Sequence, residues 1–83
     1  MMIRPTNQEM EALMTRVVST GEAEEAARLA FAQAASRFSG NLGPRDGLLE
    51  AVTKAAEDVE AAIAAATKAI NEYREGLSAR KAA

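Results

Sequence analysis

Two runs of carboxylates are the groups best able to do chemistry in this chain: Glu22, Glu24 and Glu25, then Glu57, Asp58 and Glu60. A carboxylate pair divides acid and base roles only when burial or a close like charge moves their pKa values apart. Both runs stand among alanines at helical spacing, which reads as a solvated helix face. Glu24 is the exception, because it falls on an apolar stripe. There it could set the register as a buried polar group or meet an arginine of a partner. The expectation is that it reaches out to water at a kink. Ser19, Ser36, Ser39 and Ser78 have no base beside them, since the chain contains neither His nor Cys. A carboxylate-bridged metal pair in a helical bundle uses Glu-x-x-His, and thiolate zinc needs cysteine. Gly40-Asn41-Leu42-Gly43 is too short for a phosphate loop, lacks the Lys-Ser/Thr and follows no strand, so it reads as a turn. Phe31 and Phe38 lie seven apart on an apolar stripe and read as packing residues. The densest basic pair is Arg80-Lys81, too little for a nucleic-acid surface. The reading is therefore of a non-enzyme with no catalytic residue, no cofactor site, no metal site and no nucleic-acid partner.

Composition agrees with a protein that works by contact. The chain has 83 residues, a net charge of −2 and 48% apolar residues, half of them alanine. That length allows one small domain, and a chain so short buries little of its surface alone. Without disulfides or metals, regular helix packing or a partner subunit must supply the stability. No uncharged run approaches the ~20 apolar residues of a membrane helix. The start, Met1-Met2-Ile3-Arg4-Pro5, has no apolar signal core. The expectation is synthesis in the cytoplasm and, if the protein is secreted, export without a cleaved leader.

The elements that would position these residues are two helices. Glycine and proline concentrate in Ser39–Gly47, which punctuates the chain near its middle. After it, Leu49, Val52, Ala56, Val59, Ile63, Ala66, Ile70, Tyr73 and Leu77 recur in alternating steps of three and four. Such spacing lays one stripe along one helix face. Asp46 reads as the N-cap, and Glu50–Lys54 as a supporting i,i+4 pair. Before the loop, Thr6-Asn7-Gln8-Glu9 reads as a capping box after Pro5. Met10, Leu13, Val17, Thr20, Glu24, Ala27, Phe31, Ala34 and Phe38 then keep the same alternating steps. The centre of that stripe is polar, and two readings compete. The helix either runs on, straight or kinked, or breaks at Ser19-Thr20-Gly21, where Ser19-x-x-Glu22 would cap a second helix. The heptad phase survives the gap, which favours one helix.

The pattern thus predicts an all-α antiparallel hairpin in a single domain, residues 1–83. Its helices cover about 6–38 and 46–78, with a loop at 39–46 and a frayed tail at 79–83. Two such hairpins are expected to pair into a four-helix bundle. The interaction stripe would comprise Leu13, Val17, Phe31, Leu49, Val52, Val59, Ile63, Ile70, Tyr73 and Leu77.

At the end of the first helix stands an aromatic-x-Gly tripeptide, Phe38-Ser39-Gly40. With the hairpin layout, it resembles the Trp-x-Gly proteins secreted by type VII (ESX) systems and their looser relatives in actinobacteria, with Phe in place of Trp. The resemblance implies that Phe38, Ser39 and Gly40 form the turn motif and that Tyr73 belongs to an export region. The family's export signal is Tyr-x-x-x-Asp/Glu. Here Leu77 holds the fourth position after Tyr73, and Glu75 is the nearest downstream acid. Members of that family commonly travel as dimers, so a partner hairpin would supply the signal. Independently of the resemblance, Phe38 is expected to pack onto the start of the second helix near Leu48, Leu49 or Val52. Gly40 is expected to adopt a conformation that a Cβ would hinder. The protein partner would be a second hairpin, in a homodimer or heterodimer. Two other roles fit the pattern: a cytoplasmic adaptor, chaperone or regulator that holds a partner helix, and a subunit of a helical filament.

Overall fold

The computed structural model describes residues 4–40 and 43–82. The described residues form two helices, α1 (Asn7–Ser39) and α2 (Arg45–Ala82), and the connection between them. They pack antiparallel along their length into a rod of 58 × 18 × 13 Å. An unbroken 38-residue helix, at about 1.5 Å per residue, accounts for that long dimension.

The start of α1 follows from its capping box. The Thr6 hydroxyl accepts the Glu9 backbone N–H at 3.1 Å, and the Glu9 carboxylate reaches back toward the Thr6 N–H. Two otherwise orphaned donors are thereby satisfied. The helix then runs unbroken through Ser19–Glu22, so the break considered there does not form. Thr20 donates its hydroxyl to the Arg16 and Val17 carbonyls one turn back, at 2.7 and 3.2 Å. A β-branched polar residue thus sits mid-helix without diverting the backbone.

The turn differs from expectation in two ways. Gly40 donates its N–H to the Ser36 carbonyl at 2.9 Å with φ −84° and ψ −2°. That is ordinary right-handed backbone, open to any residue, so Gly40 is not there for conformational freedom. Asp46 lies in the first turn of α2 instead of capping it, and the Pro44 carbonyl accepts the Leu48 N–H at 2.9 Å. As an acid in the first turn, Asp46 still faces the positive end of the helix dipole. Asn41 and Leu42, in the expected loop, lie outside the described residues, as does Ala83. The tail expected to fray continues as helix to Ala82, with Arg80 and Lys81 in its last turn. Lys54 stands 3.9 Å from Asp58, not paired backward with Glu50.

The seam between the helices is narrow. Among the described residues, Met10, Ala66 and Ala69 are buried and no large side chain is fully enclosed. On α1 the half-buried row is Leu13, Val17, Thr20, Glu24, Ala27, Ala34 and Phe38, the expected stripe with Phe31 at its margin. On α2 the inward row is Leu48, Val52, Ala55, Val59, Ala62, Ala66, Ala69, Tyr73, Gly76 and Arg80. This corrects the single stripe. Val52, Val59, Ala66 and Tyr73 face α1, whereas Leu49, Ile63, Ile70 and Leu77 are displaced to an exposed flank. Small residues let the backbones approach more closely than Leu or Ile would. At Gly76 the approach is close: a Cβ there would stand 2.9 Å from Met10 Sδ and 3.1 Å from Leu13 Cδ1.

Gly76→Leu is therefore expected to force the open ends apart and cost about 1–3 kcal/mol in urea unfolding. Gly47 should behave oppositely, because a Cβ there would meet nothing within 4 Å. Gly47→Ala is expected to stabilise by up to ~1 kcal/mol through helix propensity.

Candidate interaction face

The inward rows define a heptad frame in which the flanks of the seam can be compared. On α1, Met10, Val17, Glu24, Phe31 and Phe38 take position a, and Leu13, Thr20, Ala27 and Ala34 take d. On α2, Val52, Val59, Ala66, Tyr73 and Arg80 take a, and Leu48, Ala55, Ala62, Ala69 and Gly76 take d. In an antiparallel pair the e flanks of both helices share one side of the hairpin, and the g flanks share the other. Contacts on both sides agree with the assignment. Arg16 and Glu72, both at g, form an ion pair across the seam. On the other side a shallow groove is lined by Asn7, Met10, Glu11, Met14, Tyr73 and Arg80, all at a, e or b.

The two sides differ sharply in chemistry. The g side carries Glu9, Arg16, Arg37, Asp58 and Glu72 among small alanines. The e side carries Asn7, Met14, Gly21, Arg28 and Ala35 on α1, and the wholly apolar row Leu49, Ala56, Ile63, Ile70 and Leu77 on α2. Among the described residues the exposed large apolar side chains are Met14, Val18, Leu29, Phe31, Leu49, Ile63, Ile70 and Leu77. All but Leu29 sit at a, e or b and so share this one side; Leu29, at f, points away from the other helix. Exposed apolar groups gathered onto one face make it the candidate interaction surface, since scattered single residues would carry no such meaning.

Polar groups interrupt the face near its middle, with Glu25 and Glu60 at position b beside a Glu24–Arg28 pair. Glu24 is half-buried at position a and accepts a hydrogen bond from Arg28 Nε at 3.2 Å, one turn along the same helix. The expectation that Glu24 turns outward at a kink is thus replaced by an intrahelical ion pair on an unbroken helix. The axial level matters: Arg16 opposite Glu72, and Met10 and Leu13 against Gly76, place residue 24 of α1 beside residue 63 of α2.

The remaining sequence-read residues separate in space. Phe38 is half-buried, and the Arg45 guanidinium lies over its ring at 4.9 Å, closing the turn by a cation–π contact. Ser39 and Gly40 are exposed. Tyr73 faces the seam, while Glu75, at position c, is exposed on the polar side, so the two do not form one surface. The carboxylate runs stay on the exterior apart from Glu24, and among the described residues no three potential ligands gather closely enough to hold a metal ion. No helix is long and apolar enough to cross a membrane among the described residues. A broad depression along Asp46, Leu49, Thr53, Lys54 and Glu57 is walled by α2 alone and encloses nothing. Sequence spacing missed the rotation of α2, although the alternation of alanine with Leu and Ile held its signal.

Compared with protein-family models, curated proteins and solved structures, the chain matches none.

The Arg16–Glu72 pair is half exposed, so its contribution is small. A double-mutant cycle with Arg16→Ala and Glu72→Ala should give a coupling of about 0.2–1 kcal/mol that shrinks as salt is raised.

Proposed function

We propose that this protein acts by helix–helix association, using the e side of the hairpin to hold another helical protein. The observation that carries the reading is the collection of exposed aliphatic side chains on that one side, opposite a charged and alanine-lined side. A groove of this kind takes an amphipathic helix through anchors spaced along one face. The thin seam supports the same conclusion. With three buried residues and no large enclosed side chain among the described residues, the hairpin gains much of its stability only when its second apolar face is covered.

The setting we assign to this association, on the likeness to type VII secretion hairpins, is export, with the paired hairpin as the travelling unit. The supports are the two long helices and the turn that follows Phe38-Ser39-Gly40. Detection of the protein in culture supernatant, lost when the secretion ATPase is removed, checks that setting.

A photo-crosslinking side chain placed at Ile63 or Ile70 in cells that make the protein should give covalent protein adducts. The same probe at Leu29 or Lys54, on the outer surface of each helix, should not. Equal yields from both surfaces would sink the assignment of the face.

A further inference from the structure

The e side is not only apolar but complementary to itself. Along α2 its row reads Leu49, Ala56, Ile63, Ile70 and Leu77, in steps of seven. Reversed about Ile63, each end leucine meets the other and each Ile70 meets an Ala56, a large group against a small one. Along α1 the same reversal, about the level of residues 24 and 25, sets Met14 against Ala35 and Val18 against Phe31. It also sets Arg28 against Gly21, where the space beyond the backbone is open. The two centres lie on separate helices. The hairpin register places residue 24 beside residue 63, so both fall at one axial level. A single two-fold axis satisfies both.

From this the geometry points to a second copy of this chain as the occupant of the face. Two hairpins pack face to face and antiparallel, α2 on α2 and α1 on α1, with the axis crossing at Ile63. This inference rests on the association reading above and names its partner. The interface is isologous, as a closed dimer requires. The centre is polar: near the axis two Glu24–Arg28 pairs come together, with an exposed Glu25 of each copy beside them, whereas an all-apolar centre would leave the axial register free to slide. At the rim, Asp46 of one copy comes level with Lys81 of the other. The size suffices, since a 58 × 18 Å face has a footprint of about 1,000 Å², against about 800 Å² per partner in a standard stable interface.

The chain contains no cysteine, so single cysteines report the packing without interference. Sedimentation equilibrium of the full chain should give twice 8.8 kDa at micromolar concentration. Under mild oxidation Ile63→Cys should form a disulfide-linked dimer. Leu49→Cys and Leu77→Cys should each remain unlinked alone and join when mixed, while Leu29→Cys should stay unlinked throughout. Ile63→Asp should lose the dimer, whereas Glu57→Lys on the outer surface should keep it. Helical circular dichroism of each variant separates lost pairing from lost folding, and the exposed Leu49 and Leu77 sites keep the test available should Ile63→Asp unfold. A monomeric chain, or a dimer in which Leu49→Cys and Leu77→Cys fail to join, overturns the self-pairing. If the chain is monomeric while Ile63 and Ile70 still crosslink to another protein, the association reading stands and only the identity of the partner falls. If that face yields no adduct at all, both fall.

Discussion

The closeness of the two helices governs the rest of the molecule. Ala55, Ala62, Ala66, Ala69 and Gly76 line the inward face of α2 at helical spacing, and a methyl at Gly76 would press on the side-chain ends of Met10 and Leu13. Backbones that approach this closely gain contact along their whole length but bury little area per residue, because alanine has little to bury. The larger aliphatic groups of α2 cannot enter such a seam. Leu49, Ile63, Ile70 and Leu77 are therefore turned to one flank and remain exposed.

That displacement gives the hairpin two unlike sides. On one, Arg16 and Glu72 span the seam and the flanking positions are alanine or charged. On the other, the aliphatic row of α2 lies beside Met14, Val18 and Phe31 of α1, interrupted near the middle by the Glu24–Arg28 pair. A thin seam and a broad apolar flank are two results of one choice of residues. The small side chains that thin the seam leave the large ones on its flank. The association proposed for this face, with a second copy as its cover, follows from that division and from the reversal symmetry of both helices about one level.

Several details reflect local physics that operates without regard to this plan. The Thr6–Glu9 capping box fixes where α1 begins. Thr20 stays helical by returning its hydroxyl to the carbonyls of the preceding turn. Arg45 over Phe38 ties the start of α2 to the end of α1. Gly40 takes a right-handed conformation, so the aromatic-x-Gly tripeptide closes the turn through its aromatic ring and not through glycine's freedom.

The sequence by itself determined the two helices, their capping box, the position of the turn and the inward stripe of α1. Each of these depends on spacing or on residues within one helical turn, and Thr6, Glu9, Pro44 and the Met10–Phe38 row carry that information locally. Only the tertiary structure decided which face of α2 meets α1. Both candidate rows share Val52, Val59, Ala66 and Tyr73. They differ in whether alanines or the larger Leu and Ile complete them, and hydrophobic periodicity alone favours the larger residues. The choice is made by the distance between backbones, a property of two helices together, which a residue such as Gly76 permits but cannot announce from one stretch of sequence. The same holds for Glu24. Its place on the stripe was legible, but its pairing with Arg28 at the level of Ile63, and so at the centre of the exposed face, exists only once the hairpin register is set.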